Sequence, residues 1–270
     1  MNVCKRYIFT ATEKAKFLLD GVILQENILS ESVVANILTE IEIFTKTSST
    51  EVVTEDGSNI PRGAHGLHFS KGLLGEVVSD SFILGGVQQL LGNDVYIHQS
   101  KVNFKHAFAG ESWPWHQDMI YWENGDGIKF PNLVNVAILL DDVTQFNGPL
   151  FFVKGSHIFG NLCAADQLST DWKKDVSAKL PYTVSNETLK KLSKTLSFAA
   201  GTGGKGSLLW FHPQIVHAST ANLSPFNRTL YLLTYNSCSN VPTLFQRPSF
   251  LCSRSFQPVV ANTSLTHIKH

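Results

Sequence analysis

Apolar residues fall at helical spacing over roughly the first ninety positions and alternate with polar ones from position 95 onward. Val33, Val34, Ile37, Leu38, Ile41 and Phe44 share one helical face behind Ser30, a hydroxyl suited to cap a helix start. The spacing predicts an amphipathic helix over 31–46. Two shorter helices are expected over 72–79 and 81–91, closing at Gly92. Upstream, Tyr7-Ile-Phe and Phe17-Leu-Leu-Asp-Gly-Val-Ile-Leu24 read as edge strands or as a helix leading into a strand. Residues 47–58 are polar and expected to form a loop. Ile60-Pro-Arg62-Gly-Ala-His65-Gly-Leu-His68 is Gly-rich and loop-like. Its arginine and two histidines suit a substrate mouth or, equally, a solvated loop.

The second half reads as strands. Residues two apart on a strand share a face, so Gln99, Lys101, Asn103 and Lys105 line up along one side of the run from Tyr96. Such a row marks either a solvent face or a lined cavity. Leu133-Val-Asn135-Val-Ala-Ile-Leu-Leu140 is a buried strand with one amide in it. An unpaired buried amide costs a few kcal/mol, so Asn135 needs a partner. Further strands are expected at 150–154, 205–211, 214–219 and 228–235. Residues 160–203 are polar and weakly patterned, with a short Lys/Leu helix near 187–196, and read as a lid-like insertion. Many short strands with Gly/Pro turns, behind an early helical flank, predict a mainly β fold. The expected form is a double-sheet jelly roll flanked by α-helices. One domain over 1–270 is expected, with a helical flank at 1–92 and the jelly-roll core at 93–258.

The candidate chemistry centres on Trp113-Pro-Trp-His116-Gln-Asp118-Met-Ile-Tyr-Trp122. On an extended strand His116 and Asp118 point at one spot. A second histidine would complete a two-His-one-carboxylate set, which binds non-haem Fe(II) and leaves positions open for a cosubstrate and O₂. Two histidines compete for that place. His212 precedes Pro213 and belongs in a turn, whereas His217 lies in the strand-like Ile215-Val-His-Ala-Ser219. Arg228 follows His217 by eleven positions (228 − 217) and opens the next strand, so a hairpin would bring its guanidinium near His217. Arginine's planar fork suits a carboxylate. His157 follows a glycine turn and is set aside as a ligand.

Composition narrows the class. The 22 basic and 22 acidic residues cancel and form no basic stripe, which argues against a nucleic-acid surface. The four cysteines are scattered without a Cys-x-x-Cys, so neither a zinc knuckle nor a disulfide framework is expected. No run approaches a membrane span and the N-terminus lacks a signal-like apolar core. A cytoplasmic protein is expected.

The His116-x-Asp118, His217 and Arg228 pattern resembles the phytanoyl-CoA dioxygenase family of Fe(II)/2-oxoglutarate oxygenases, within it the ectoine hydroxylase and amino-acid hydroxylase branch. The likeness is carried by Gln99-Ser-Lys-Val-Asn103-Phe-Lys105, Trp-x-Trp-His-x-Asp, Asn147-Gly-Pro-Leu-Phe-Phe-Val-Lys-Gly-Ser-His157 and His217-x-Ser-x-x-Asn-x-Ser-Pro-x-x-Arg228. Arg247-Pro-Ser-Phe-Leu-Cys-Ser-Arg254 is similar to that branch's tail, although Ser255 stands where an aspartate is usual. The resemblance implies a double-stranded β-helix with His116, Asp118 and His217 on Fe(II). It implies that 2-oxoglutarate and O₂ are consumed, that succinate and CO₂ are formed, and that a C–H bond is hydroxylated. Arg228 would take the far carboxylate of 2-oxoglutarate, helped by Ser219 and Asn103, and Asn135 and Lys105 are counted with them. A carboxylate at 118 favours hydroxylation, because halogenating relatives carry a small residue there.

Substrate choice follows from where the likeness breaks. Trp122 matches a residue that packs on substrate. Ile97 and Leu230 stand where ectoine hydroxylases supply polar contacts, which predicts an apolar pocket. The expected substrate is a small free amino acid with an aliphatic side chain, leucine-like or proline-like, its charged head held by Arg62 or Arg254. The alternatives are an ectoine-like metabolite in the same enzyme class, or a non-catalytic metal-binding jelly-roll module. A structural zinc site usually closes its fourth position with Cys or His, and no cysteine lies near either motif.

Overall fold

The computed structural model describes residues 8–48, 50–92, 94–165, 172, 176 and 180–262. It begins with α1 (Ala11–Asp20), which Thr10 and Glu13 start with a reciprocal capping box. Gly21 ends the helix at φ 75°, a left-handed conformation that costs glycine little. The chain then runs straight into β1 (Val22–Gln25), so the helix leading into a strand is the correct alternative. Ser30 accepts from Val33 N and opens α2 (Glu31–Thr47), whose Val34, Ile37 and Ile41 are buried. The Glu40 carboxylate on α2 accepts from Leu73 N and Leu74 N, tying α2 to α3 (Leu73–Glu76). A 3₁₀ turn over Val77–Ser79 and α4 (Ser81–Leu91), capped by Asp80, complete the flank.

Between α2 and α3 lies a correction. The Gly-rich stretch expected as a loop is β3 (Pro61–His65), paired with β2 (Val52–Thr54) on one side. On the other side it pairs with β4 (Val95–Lys105), placing Gly63 against Asn103 and His65 against Lys101. Its composition disfavours a strand, and pairing with a long neighbour overrides that weak preference.

The remaining strands are β5 (Trp113–His116), β6 (Leu133–Leu139), β7 (Leu150–Val153), β8 (Ala164–Ala165) and β9 (Tyr182–Thr183). After them come β10 (Phe198–Ala200), β11 (Leu208–Phe211), β12 (His217–Ser219) and β13 (Arg228–Ser237). Helices α5 (Met119–Asp126) and α6 (Asn186–Leu192) interrupt the series. Seven strands form one antiparallel sheet in the order β1-β11-β6-β13-β4-β3-β2, and four form a second, β10-β7-β12-β5. The large sheet packs its outer face on the helical flank through Val102, Trp210, Tyr231 and Tyr235 against Ile37, Ile83 and others. Its inner face meets the small sheet through Leu139, Leu209, Phe211, Leu230 and Leu232 against Leu150 and Phe152. This is the expected mainly β jelly roll, the double-stranded β-helix arrangement, with flanking helices.

Two departures from simple alternation position the site. β12 and β13 do not form a hairpin: β12 belongs to the small sheet and β13 to the large one. Arg228 and His217 therefore reach a common cavity from facing sheets. In β4 the pairing steps from Gln99↔Thr234 to Ile97↔Tyr235, leaving His98 as an extra residue. Such a bulge reverses which face the following side chains take. Gln99, Lys101 and Asn103 face the cavity, while Ile97 turns outward to the helices.

Part of the expected lid, residues 166–171, 173–175 and 177–179, lies outside the described residues. The described part of that insertion is ordered by β8–β9 pairing, by α6 and by Leu180 packed on Ile120 and Tyr121. No described helix is long and apolar enough to cross a membrane.

Candidate active site

β5 and β12 pair with His116 directly opposite His217, and their rings lie 4.2 Å apart between centroids. Asp118 is not on the strand as expected. β5 ends at His116, and Asp118 sits at the start of α5 in helical conformation, φ −68° and ψ −35°. The chain turns there because Met119 N is taken by Pro213 O and the helix begins. The carboxylate still arrives at the intended spot: Asp118 Oδ1 is 3.8 Å from His116 Nε2 and 3.9 Å from His217 Nε2. His116 Nδ1 donates to Pro114 O at 2.7 Å, and His217 Nδ1 donates to Ile215 O at 3.0 Å. A carbonyl can only accept, so both Nε2 lone pairs are left facing the carboxylate. Burial first, and then His217 beside it, pushes His116 down to about 3, and burial likewise lowers His217. Burial alone would raise Asp118, but Lys101, the two histidines and Asn135 together hold it below the ordinary range. Two neutral imidazoles and an ionised carboxylate are the protonation states that a divalent metal needs.

His212 is the turn residue its sequence suggested: its ring packs on His157 at 4.9 Å, and His157 Nε2 donates to Leu18 O. Neither joins the triad. A second cluster, His98, Asp126 and Cys252, also gathers its ligand atoms within 4.8 Å. There Arg247 donates Nε and Nη2 to the two Asp126 oxygens at 2.8 and 2.6 Å, and His98 lies 3.0 Å from Oδ2. A guanidinium already occupies the place a cation would take.

The triad opens on a cavity of about 850 Å³, its mouth included. Arg228, Ser219 and Asn103 line one end. Arg228 is 1% exposed and its Nε donates to Gly148 O at 3.0 Å, yet its Nη1 is buried without a partner. Burial lowers Arg228 to about 9, still a cation at neutral pH. Ser219 Oγ is likewise buried and unpartnered. Two buried donors aimed into one cavity call for an acceptor from a ligand, because orphaned polar atoms are costly. A carboxylate such as the far end of 2-oxoglutarate fits this donor set.

Comparison with known proteins agrees with this geometry. Residues 17–230 match the family described as phytanoyl-CoA dioxygenase (PhyH). The chain belongs to the phytanoyl-CoA dioxygenase family. It is similar to the L-proline trans-4-hydroxylase of Streptomyces griseoviridis, 39% identical over 251 residues that cover 92% of this chain and 94% of that one. It is 32% identical to the ectoine dioxygenase of Bordetella bronchiseptica, covering 86% and 76%. Among solved structures, EctD from S. alaskensis with 2-oxoglutarate and 5-hydroxyectoine superposes with a TM-score of 0.81 at 28% identity, over 96% of this chain and 90% of that one. The protein is an Fe(II)/2-oxoglutarate-dependent dioxygenase.

Within this phytanoyl-CoA dioxygenase fold several expected contacts fall elsewhere. Asn135 is committed, donating to Asp118 Oδ2 at 2.8 Å and accepting from Thr234 Oγ1 at 2.6 Å. These two bonds hold the Asp118 carboxylate in place and give the buried amide its partners. Lys105 is buried against backbone, donating to Glu111 O and Thr220 O. Burial and then Arg228 and Arg62 lower it to about 6. The cavity-facing lysine of that row is Lys101, 3.9 Å from Asp118 Oδ1. Ile97 packs in the outer helical layer and Leu230 in the inner core, and neither lines the cavity; Leu232 does.

Arg254 bonds Cys252 O, Phe245 O and Arg247 O and is absent from the lining. Arg62 does line the cavity, but Nη1 pairs with Glu55 at 2.7 Å, Nη2 donates to Ser112 O, and the guanidinium lies 4.0 Å over Trp113. Trp122 is placed as expected, lining the cavity with Nε1 donating to Gln99 Oε1 at 3.3 Å. Sequence reading missed Arg247 and Leu251, which the C-terminal tail brings to the lining. The Arg247-Pro signal was present, but its role depends on the ion pair with Asp126.

Proposed function

We propose that the protein hydroxylates a small free amino acid with an aliphatic side chain or ring, proline-like in preference to ectoine-like. His116, Asp118 and His217 would hold the iron, and Arg228, Ser219 and Asn103 the far carboxylate of 2-oxoglutarate. Iron bound there, with 2-oxoglutarate and O₂, supplies the oxidant that puts one oxygen atom into a C–H bond as 2-oxoglutarate becomes succinate and CO₂. The chain's own residues set the geometry: Asn135 fixes the Asp118 oxygen, and the Pro114 and Ile215 carbonyls fix both imidazoles. Leu150, Phe211, Leu232 and Trp122 give the cavity an apolar wall that keeps bulk water from the reacting carbon.

The observation that carries this reading is a second arginine. Arg228 pairs in register with Lys105, whereas Arg247 is anchored at Asp126 beside His98, at opposite ends of β4. The two stations lie seven residues apart (105 − 98), roughly 20 Å along a strand. Lys101 and the triad fall between them. On this reading the Arg228 end takes the cosubstrate carboxylate, and the Arg247 end, whose fork already holds Asp126, supplies positive charge toward an amino-acid carboxylate. The same preference is supported by the named activity of the 39% identical relative. Succinate release and oxygen incorporation, measured side by side for L-proline, L-leucine, L-isoleucine and ectoine, test it. Tight coupling is expected with L-proline, and strong coupling to ectoine, or none to any free amino acid, overturns it.

A further inference from the structure

His65 lies on β3, Cα-paired with Lys101, and its ring lines the cavity. The residue is 3% exposed, and Nδ1 is buried without any hydrogen-bond partner. Gly63 lies on the same strand face beside the ring: a Cβ added there would stand 3.2 Å from Val102 O and in ordinary contact with His65 Nε2 at 3.7 Å and Asn103 Oδ1 at 3.8 Å. Nothing in the mechanism above uses this imidazole. A buried polar ring without a partner is expensive unless a ligand completes it.

The surrounding charges say what that ligand group is. Among the described residues lining the cavity, Asp118 is the sole carboxylate, and it is already held by Asn135 and faced by Lys101. Burial first, and then the positive charges of Lys101 and Arg247, push His65 down to about 3, so the ring is neutral at neutral pH. The Arg247 tail also closes on this end of β3, since a Cβ on Gly66 would meet Phe250 Cβ at 2.6 Å. An amino-acid zwitterion entering here finds cations for its carboxylate. For its ammonium it finds a neutral imidazole, whose unprotonated nitrogen accepts.

We propose that His65 recognises the amino group of the substrate, accepting a hydrogen bond from its N–H while the carboxylate faces Arg247. This rests on the amino-acid reading above. His65 would be a specificity-determining residue, selecting α-amino and α-imino acids over carboxylic acids of the same shape.

The test compares L-proline with tetrahydrofuran-2-carboxylic acid, which keeps ring and carboxylate and lacks the N–H. Binding of each to anaerobic Fe(II)- and 2-oxoglutarate-loaded protein is measured by calorimetry, alongside the affinity for 2-oxoglutarate. Wild type should prefer proline by about tenfold to a hundredfold, the worth of a hydrogen bond to a charged group. His65→Phe should bring the ratio to within about twofold while 2-oxoglutarate affinity holds, and His65→Gln, which keeps an acceptor, should restore part of it. A ratio that survives His65→Phe overturns the proposal, as does a ratio that falls only together with 2-oxoglutarate affinity in both variants. Wild-type protein that binds no free amino acid removes the amino-acid reading itself, a result distinct from an unchanged ratio.

Discussion

The two ends of the cavity are built from different kinds of structure. At the Arg228 end the donors sit within paired strands, Asn103 on β4, Ser219 on β12 and Arg228 on β13, although the β12–β5 register shifts between His217 and Ser219. At the Arg247 end the lining comes from the bulge at His98, the start of α5, the end of β3 and the C-terminal tail. Regular strands translate sequence spacing directly into position, whereas bulges and tails do so only after folding. On the proposed reading, the Arg228 end would serve a cosubstrate of constant shape, and the Arg247 end is where the scaffold can vary without disturbing the sheets. The triad lies between, with His116 and His217 locked by strand pairing and Asp118 by a helix start.

The largest expected effect concerns that middle ground. His116→Ala, Asp118→Ala and His217→Ala should each abolish Fe(II)-dependent turnover, while His212→Ala, which removes a ring packed on His157 and accepting from Gln214 N, should lose less than tenfold. Succinate release and iron content, read together with circular dichroism, check this. An inactive His212→Ala beside an active His217→Ala would overturn the ligand assignment.

A smaller effect is expected one contact outward. Asn135→Ala removes the amide that holds Asp118 Oδ2 and leaves Thr234 Oγ1 without its acceptor. Iron affinity should fall about tenfold to a hundredfold, as for other outer-shell partners of metal ligands. Unchanged iron affinity with a lowered melting temperature would reduce Asn135 to a core residue.

The comparison sharpens at Ile97 and Leu230, which simple alternation places at the substrate. Ile97→Gln now buries an amide against the helical layer and should cost about 1–3 kcal/mol of stability. It should leave the preference among proline, leucine and ectoine unaltered. Leu232→Asn, on the cavity wall, should shift that preference instead. Thermal denaturation and competition assays on the two variants separate the cases, and a selectivity change in Ile97→Gln would mean that the bulge does not turn this residue outward.

These positions also mark how far the sequence reaches. The jelly roll and the two facing histidines are legible from period-two alternation and residue chemistry, whereas Asp118 reaches them from a helix start and Arg228 from the facing sheet, not by the strand and hairpin that spacing suggests. The row Gln99, Lys101, Asn103 was read correctly, but Lys105 continues it past the cavity's edge into backbone carbonyls, where only tertiary packing shows the end of the row. Ile97 was misplaced by one inserted residue, which no local pattern reveals. Arg62 and Arg254 suit a charged head by residue type, yet Arg62 is engaged by Glu55 and by Ser112 fifty residues on, and Arg254 by backbone carbonyls of its own segment, which residue type does not reveal. Arg247 was overlooked for the same reason, since its anchor Asp126 lies 121 residues away.

On the proposed function the two arginines serve two different ligands. Arg228→Lys and Arg247→Lys test it, because each keeps a cation and loses the planar fork, with melting curves taken for both since the Arg247 fork also holds Asp126. The measurement is the KM for 2-oxoglutarate and for L-proline in both variants. Arg228→Lys should raise the 2-oxoglutarate KM by about tenfold or more and leave that for proline within about twofold; Arg247→Lys should do the reverse. Both variants moving the same ligand, or neither moving proline, would contradict the claim.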